Sequence, residues 1–386
     1  MKSRKLNIWI TGFTSFFTDV SSEMVYPIIS LYVKALGGGP GILGIIEGVA
    51  ESSASLLKVF SGALADRVGK RKPVAIGGYT LSFLGKLLFY LAHSWSMIFA
   101  GRVTDRFGKG IRGAPRDAMI AESIGEEERG RAFGIHRSLD TAGAVLGSLS
   151  AYFIVTYLTG EKVGEIALFR KLIFISLIPA LLSVLILFFS IETGRGRIKR
   201  RINLASFREL PLKLKLYFLF LFIFTMGNSS NQFIFLRASE KDIGLGVGEI
   251  ILLYVVYNIV EAVVSYPAGY LSDKINRKYV ISAGFFIYGL VYLMIALFPK
   301  LIWISMAIYG VYKGATEGVT RAFVSDLAPE DRRATILGLH SAIEGIGLLP
   351  ASLLAGLLWD LLGPSAPFLF GGIAGMVAFF GILLAV

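Results

Sequence analysis

The chain has 386 residues, 54% of them hydrophobic and only 17% charged, with 29 Phe and a formal net charge of +12. Soluble domains carry about 25% charged residues, so this composition excludes an ordinary water-soluble globule and points to lipid. There is no cysteine, which excludes disulfides and thiolate metal sites and leaves the compartment open.

Apolar runs of about 20 residues, enough to cross a ~30 Å hydrocarbon layer, recur from one end of the chain to the other. Backbone groups in lipid must be satisfied within the segment, so the runs should be helices. They are continuous rather than alternating, which argues against a barrel. Helical spans are expected at about 8–34, 42–65, 74–92, 96–118, 132–158, 168–191, 216–238, 249–272, 279–298, 301–324, 334–359 and 366–385. Lys2, Arg4 and Lys5 precede a first run too long for a signal-peptide core and without a cleavage site.

Alternate loops differ in charge. One set holds Arg67, Lys70, Arg71 and Lys72, then Arg129 and Arg131, then Arg195 to Arg208, then Lys274, Arg277 and Lys278, then Arg332 and Arg333. The other holds little beyond Lys34, Lys162, Lys241 and Lys300, with Arg170 and Lys171 near a helix start. The positive-inside rule makes the first set cytoplasmic, with both termini inside. It also accounts for the net positive charge without nucleic acid. The polar stretch 192–215 is the expected cytoplasmic linker between six-helix bundles at 1–191 and 216–386.

The halves echo each other. Gly62, Asp66, Lys70 and Arg71 after span 2 match Gly269, Asp273, Arg277 and Lys278 after span 8, about 207 positions later. At an offset of about 204, Lys109-Gly110 matches Lys313-Gly314, and His136, Asp140 and Gly143 match His340, Glu344 and Gly347. Two parallel six-helix repeats are an architecture of secondary transporters.

The stretch Gly62-Ala-Leu-Ala-Asp66-Arg67-Val-Gly69-Lys70-Arg71-Lys72 resembles the signature loop between helices 2 and 3 of the major facilitator superfamily. The second copy has Asn276 in place of the second glycine. Phe17 to Pro27 and Asp105 to Gly110 are similar to a prokaryotic subgroup of that superfamily. Ser148 stands where the superfamily's antiporter pattern has proline, beside Gly143 and Gly147. The resemblance implies an all-α membrane protein, with twelve transmembrane helices in two pseudo-symmetric six-helix bundles. It further implies a monomer, a cavity lined by spans 1, 4, 7 and 10, and a cytoplasmic gate. To that gate are assigned Gly62, Asp66, Arg67, Gly69, Lys70, Arg71 and Asp273. The pairs His136/Asp140 and His340/Glu344 join it as a hydrogen-bond network, with a proton relay as the other reading.

A charge at the bilayer centre costs at least about 2.5–3.5 kcal/mol and is rarely idle. Span 1 carries Asp19 and Glu23 four apart on one face, and span 2 carries Glu47 and Glu51 likewise. Span 4 carries Arg102, Asp105, Arg106 and Lys109; span 10 carries Lys313, Glu317 and Arg321; span 7 offers Asn228 and Asn231. These residues are the expected proton-coupling or substrate cavity, with Asp19 and Glu23 and either Glu47 or Glu51 held near Arg102 and Arg106. The competing reading is a static ladder of ion pairs. Lys86, mid-span, has only a guessed partner among the acids of spans 1 and 2. The tyrosine pairs 254/257 and 309/312 are read as packing ahead of substrate contact.

No Walker loop is present, so an ion gradient, most simply protons, should drive transport. The expected function is secondary active transport of a small solute across the cytoplasmic membrane. The charge pattern leans to an organic anion or drug-like amphiphile, exported. A solute sensor or lipid-flipping protein on the same fold is the alternative. No enzymatic activity, cofactor or metal is expected, and the partners are the bilayer, the solute and protons.

Overall fold

A computed structural model describes residues 2–125, 128–160, 163–194, 210–328 and 333–386. Its helices are α1 (Lys2–Val25), α2 (Ile29–Ala35), α3 (Pro40–Val68), α4 (Lys72–Tyr90), α5 (Trp95–Glu122), α6 (Arg129–Gly160) and α7 (Glu165–Leu187). Then come α8 (Leu212–Gly227), α9 (Gln232–Ala238), α10 (Val247–Lys274), α11 (Arg277–Leu297), α12 (Ile302–Leu327), α13 (Arg333–Leu362) and α14 (Ala366–Ala385). The described residues form no strand.

Two expected spans are interrupted. Pro27 lacks an N–H, and the chain passes through a 3-10 turn, Tyr26–Ile28, between α1 and α2. The span expected at 216–238 breaks between α8 and α9 at Asn228-Ser-Ser-Asn231. Short polar side chains compete with the helical backbone for its hydrogen bonds, and four in a row end the helix. Counting α1–α2 and α8–α9 as one span each leaves twelve.

Among the described residues, seven of the twelve are long and apolar enough to cross a membrane by composition: α6, α7, α8–α9, α10, α11, α13 and α14. The other five, α1–α2, α3, α4, α5 and α12, hold Asp19, Glu51, Lys86, Arg106 and Lys313 among their charges. The exposed surface carries large apolar side chains such as Phe153, Phe189 and Leu384, as a lipid-facing surface requires.

The chain divides into two compact units. Unit 1 comprises Met1–Gly38 and Val49–Arg201; unit 2 comprises Gly39–Gly48 and Ile202–Val386. Most of the expected linker, 195–209, lies outside the described residues. Within unit 1, α1 packs on α6 and α7, and α4 on α5 and α7. Within unit 2, α8 packs on α13 and α14, α11 on α12 and α14, and α10 on α12. The repeat seen in sequence is a repeat of packing.

Glycines set the close crossings. A Cβ on Gly110 would lie 2.7 Å from Ala54 O, and one on its echo Gly314 would lie 2.7 Å from Glu261 O. Gly143 meets Phe16 O and Gly347 meets the Thr225 side chain, each at 2.5 Å. Helices without a hydrophobic drive to associate rely on such small residues for close packing. The α4–α5 seam uses the device most heavily. Gly108 would place a Cβ 2.4 Å from Gly78 O, Gly101 2.8 Å from Gly85 O, and Gly85 2.6 Å from Asp105 N.

Gly78→Ala should therefore destabilise the protein by about 1–3 kcal/mol, because overpacking forces α4 and α5 apart. Its neighbour Gly77 has nothing within 4 Å of a built Cβ. Gly77→Ala should be neutral or gain up to about 1 kcal/mol of helix propensity. Thermal unfolding of both variants in detergent checks the contrast.

Candidate functional site

The glycine seam seats a charged helix inside unit 1. Arg102, Asp105, Arg106 and Arg112 of α5 are all buried, at 1%, 6%, 7% and 6% exposure. A buried charge needs a partner. Glu51 of α3 supplies one for two arginines: Arg102 Nη2 lies 3.0 Å and Arg106 Nε 3.2 Å from Glu51 Oε1. Arg102 also sits 5.4 Å from the Tyr26 ring centroid. Arg106 Nε stands 3.7 Å from its neighbour Asp105.

Arg112 donates to Ser82 Oγ at 2.6 Å and covers the Tyr79 ring at 4.6 Å. Lys86, without a firm partner in the sequence, donates to Ser22 Oγ of α1 at 3.1 Å. It therefore ties α4 to α1 through a hydroxyl rather than to one of the expected carboxylates.

Three of the four expected acids part company. Glu51 takes the arginines. Glu47, fully buried, belongs to unit 2, where Ser230 Oγ donates to it at 2.7 Å. Asp19 is half-buried and makes no hydrogen bond or ion pair with any described residue. It interacts electrostatically with Asp140, Glu23, Arg112 and Lys109. Of the carboxylates expected near Arg102 and Arg106, Glu51 of α3 is within ion-pair distance of both.

Ser15 is a junction of four helices. Its Oγ lies 3.0 Å from His136 Nε2 of α6 and 3.2 Å from Tyr79 OH of α4, and it accepts from Arg116 Nη1 of α5 at 3.1 Å. His136 Nδ1 lies 3.4 Å from Asp140. In unit 2, His340 Nε2 lies 3.1 Å from Tyr217 OH of α8, and its Nδ1 lies 3.4 Å from Glu344. Each histidine thus joins the fifth helix of its unit to the first.

Unit 2 has different chemistry. Tyr254 and Tyr257 of α10, Tyr288 and Tyr292 of α11, and Tyr309 and Tyr312 of α12 form one cluster. Centroids are 5.5 Å apart for Tyr257–Tyr309, 5.1 Å for Tyr288–Tyr312 and 4.2 Å for Tyr288–Tyr292. Tyr309 OH donates to Asn231 Oδ1 at 2.9 Å and Tyr288 OH to Gly227 O at 2.9 Å, so the phenols close on the α8–α9 break. Asn228 caps α8 at the same break. The sequence reading missed Tyr288 and Tyr292; their i, i+4 spacing on an apolar span was the signal. Lys313 pairs with Glu317 at 3.6 Å, and Arg321 is exposed.

The loop between α3 and α4 is tied down within unit 1. Gly69 ends α3 with φ +72, a left-handed position that favours glycine. Arg71 Nη2 donates to Glu122 at the end of α5, 3.3 Å away. In unit 2, Arg277 binds Asp273 at 2.8 Å and also Asp326 at the end of α12. Glu122 and Asp326, absent from the sequence reading, sit at the same offset as the histidines. Asn276 is no failed glycine: its side chain accepts from Lys278 N and caps α11. Arg67 and Lys70 are exposed, and the side chains of Gly62 and Asp66 lie outside the described residues.

Glu192 organises this loop. It accepts from the N–H groups of Arg71 at 2.8 Å and Lys72 at 3.1 Å, capping α4 from a distant segment, and from Thr193 and Gly194. Partial burial pushes its carboxyl up; the N–H groups of Gly194, Arg71, Lys72 and Thr193 outweigh that and hold it below the usual range. A depressed carboxyl stabilises the fold above its unfolded value of about 4.3 and loses that contribution as pH falls through the lower folded value. Amide exchange at Arg71 and Lys72 should therefore accelerate, relative to other amides, as pH drops below about 4.3. Glu192→Ala should show the fast rate at every pH.

The family model described as Major Facilitator Superfamily matches residues 11–236 and 216–386. An uncharacterised MFS-type transporter of Methanocaldococcus jannaschii is 39% identical over 389 residues, covering 98% of this chain and 94% of that protein. The multidrug resistance protein MdtH of Cronobacter sakazakii is 32% identical over 135 residues, 35% of this chain and 33% of that protein. The crystal structure of a D-xylose–proton symporter superposes with a TM-score of 0.76 at 15% identity, covering 100% of this chain and 97% of that one. With twelve helices in two alike units and a family match along nearly its whole length, the chain belongs to the Major Facilitator Superfamily of membrane transporters.

Proposed function

We propose that this chain is a proton-coupled secondary carrier that exports a small amphiphilic organic solute by alternating access. The observation that carries the reading is the division of acids within unit 1. Glu51 is fixed by Arg102 and Arg106. Asp19 lies among Asp140, Glu23, Arg112 and Lys109 without a fixed partner among the described residues. A carboxyl inside a membrane helix with no fixed partner among the described residues is the one we assign to gain and release a proton, which rebalances the surrounding charges.

The buried cations of unit 1 support a solute with an anionic end. The partial likeness to a multidrug resistance protein supports export. The loop residues Arg67, Lys70, Arg71 and Asp273, with both histidine pairs, are proposed as the cytoplasmic gate. The positive-inside pattern supports the cytoplasmic membrane, with both termini inside.

Proteoliposomes with an imposed pH gradient and a panel of fluorescent organic anions and cations test this. Asp19→Asn should abolish gradient-driven accumulation and keep downhill exchange. Glu51→Gln should lose both and lower the melting temperature, since it strands two buried cations. Wild-type pumping by Asp19→Asn would remove the coupling assignment. Orientation is open to a direct check because the chain has no native cysteine. A membrane-impermeant maleimide should label Lys241→Cys in intact cells and leave Lys70→Cys unlabelled.

A further inference from the structure

Asp19 and the His136 pair belong to one seam of unit 1. α1 and α6 run side by side in the same direction. A Cβ on Gly12 would meet Leu139 Cδ1 at 2.5 Å, one on Gly143 would meet Phe16 O at 2.5 Å, and one on Gly147 would meet Val20 O at 2.4 Å. The three contacts keep a single register, so a contact at one level implies its counterpart one turn on. Ser15 and His136 touch at 3.0 Å and are 121 positions apart in sequence. Asp19 and Asp140 stand at that same separation, each four residues, or about 6 Å, further along its helix. The register therefore brings the two acids to one level of the seam, where they interact electrostatically.

Asp140 is the link between them. Its Oδ2 lies 3.4 Å from His136 Nδ1, and its Oδ1 is buried without a hydrogen-bond partner among the described residues. Ser15 holds the other side of the ring. Its oxygen accepts from Arg116 Nη1, which leaves it one bond to accept and one to give. It can accept from His136 Nε2–H and give its own hydrogen to Tyr79 OH, 3.2 Å away. The Nδ1 lone pair then faces Asp140. A proton arriving there turns the pair into an imidazolium on a carboxylate, and no other hydrogen has to move.

The charged and titratable groups around the ring are few in kind. Asp140 and Arg137 share its helix, and α1 brings Asp19, with Glu23 beyond it. From α5 come Arg112 and Arg116, the latter paired with Asp117, and from α4 comes Tyr79. The charges of α7 stand in its first two turns, Glu165 to Lys171. Unit 2 supplies the contrast. His340 has Tyr217 OH at 3.1 Å and Glu344 at 3.4 Å, but α8, the helix it joins, carries no carboxylate.

We propose that Asp19 shares its proton with Asp140 and that His136 is the base that draws it away. The proton passes from the Asp19 carboxylic acid to the Asp140 carboxylate, and from there to the Nδ1 lone pair of His136. Both carboxylates end ionised beside an imidazolium, and the charge of the group is unchanged. The relay rests on Asp19 as the proton carrier and adds to the gate role of the histidine pair. His340, without a second acid on its facing helix, takes no part.

The chain has three histidines, so nitrogen NMR of isotope-labelled histidine in the detergent-purified full chain resolves each ring. His93→Gln and His340→Gln supply the assignment. At the pH where His136 is half protonated, its ratio of imidazolium to imidazole should fall about tenfold in Asp19→Asn, the mark of groups that titrate together. His340 should keep its wild-type ratio. Asp19→Ala gives the same measurement should Asp19→Asn fail to fold. An unchanged His136 ratio, an equal fall at His340, or a His136 ring that stays neutral at every pH the fold survives would each overturn the relay. Transport is read separately. Wild-type pumping by Asp19→Asn removes the carrier assignment itself, whereas lost pumping with an unchanged His136 ratio leaves Asp19 as carrier and removes only the relay.

Discussion

A carboxylate shared by two buried arginines is the constraint around which unit 1 is built. Glu51 lies within 3.2 Å of both Arg102 and Arg106, in a span that has little water to offer either. Ionised groups in such a setting must be paired by geometry, because solvent cannot compensate for a partner out of place. That demand reaches outward. α5 has to approach α3 closely, which Gly110 allows, and α4 closely, which Gly78, Gly85, Gly101 and Gly108 allow. The same approach puts Ser82 under Arg112. Scaffold and charge are one design here: the small residues exist in that register because the arginines need a fixed seat.

Much of the architecture was legible from residues alone, and the reason is physical. Twenty-residue apolar runs separated by basic loops admit few solutions in lipid, and the echoes at two fixed offsets exposed the repeat. The echoed pairs Gly110/Gly314 and Gly143/Gly347 proved to be crossing points, whereas Gly269 meets no neighbour, and the echoed histidines make matching bonds. What escaped the reading was whatever depends on distance across helices. Spacing alone left open whether Glu47 or Glu51 stands with the arginines. The separation into Glu51 on arginines, Glu47 on Ser230 and Asp19 without a hydrogen bond among the described residues follows from which neighbour each helix face meets. The breaks were not foreseen: Pro27 lay inside an expected span at 8–34, and Asn228 and Asn231 were read as cavity residues inside a continuous helix. Glu192 was read as the edge of a linker. Its task, capping α4 through Arg71 and Lys72, is set by a contact about 120 residues away in sequence, beyond the reach of any local pattern.

The two units solve the same packing problem with opposite interiors. Unit 1 fills its core with ion pairs on α5; unit 2 fills the equivalent helix, α12, with Tyr309 and Tyr312 inside a cluster of phenols. Ion pairs require exact partners and tolerate no slippage. Stacked rings accept a range of offsets at similar energy. Unit 1 is accordingly the chemically exacting half, and unit 2 the forgiving one.

The matched glycine crossings explain how such different interiors came to share one plan. A joint made of backbone against backbone depends on no particular side chain. A Cβ built on Gly110 or on Gly314 would lie the same 2.7 Å from the facing carbonyl oxygen, although the neighbouring side chains are arginines in one unit and tyrosines in the other. Heritable change could therefore rewrite the lining of one copy without disturbing the hinges and seams of either. A molecule assembled from two such copies keeps its carpentry constant while each room is refurnished separately.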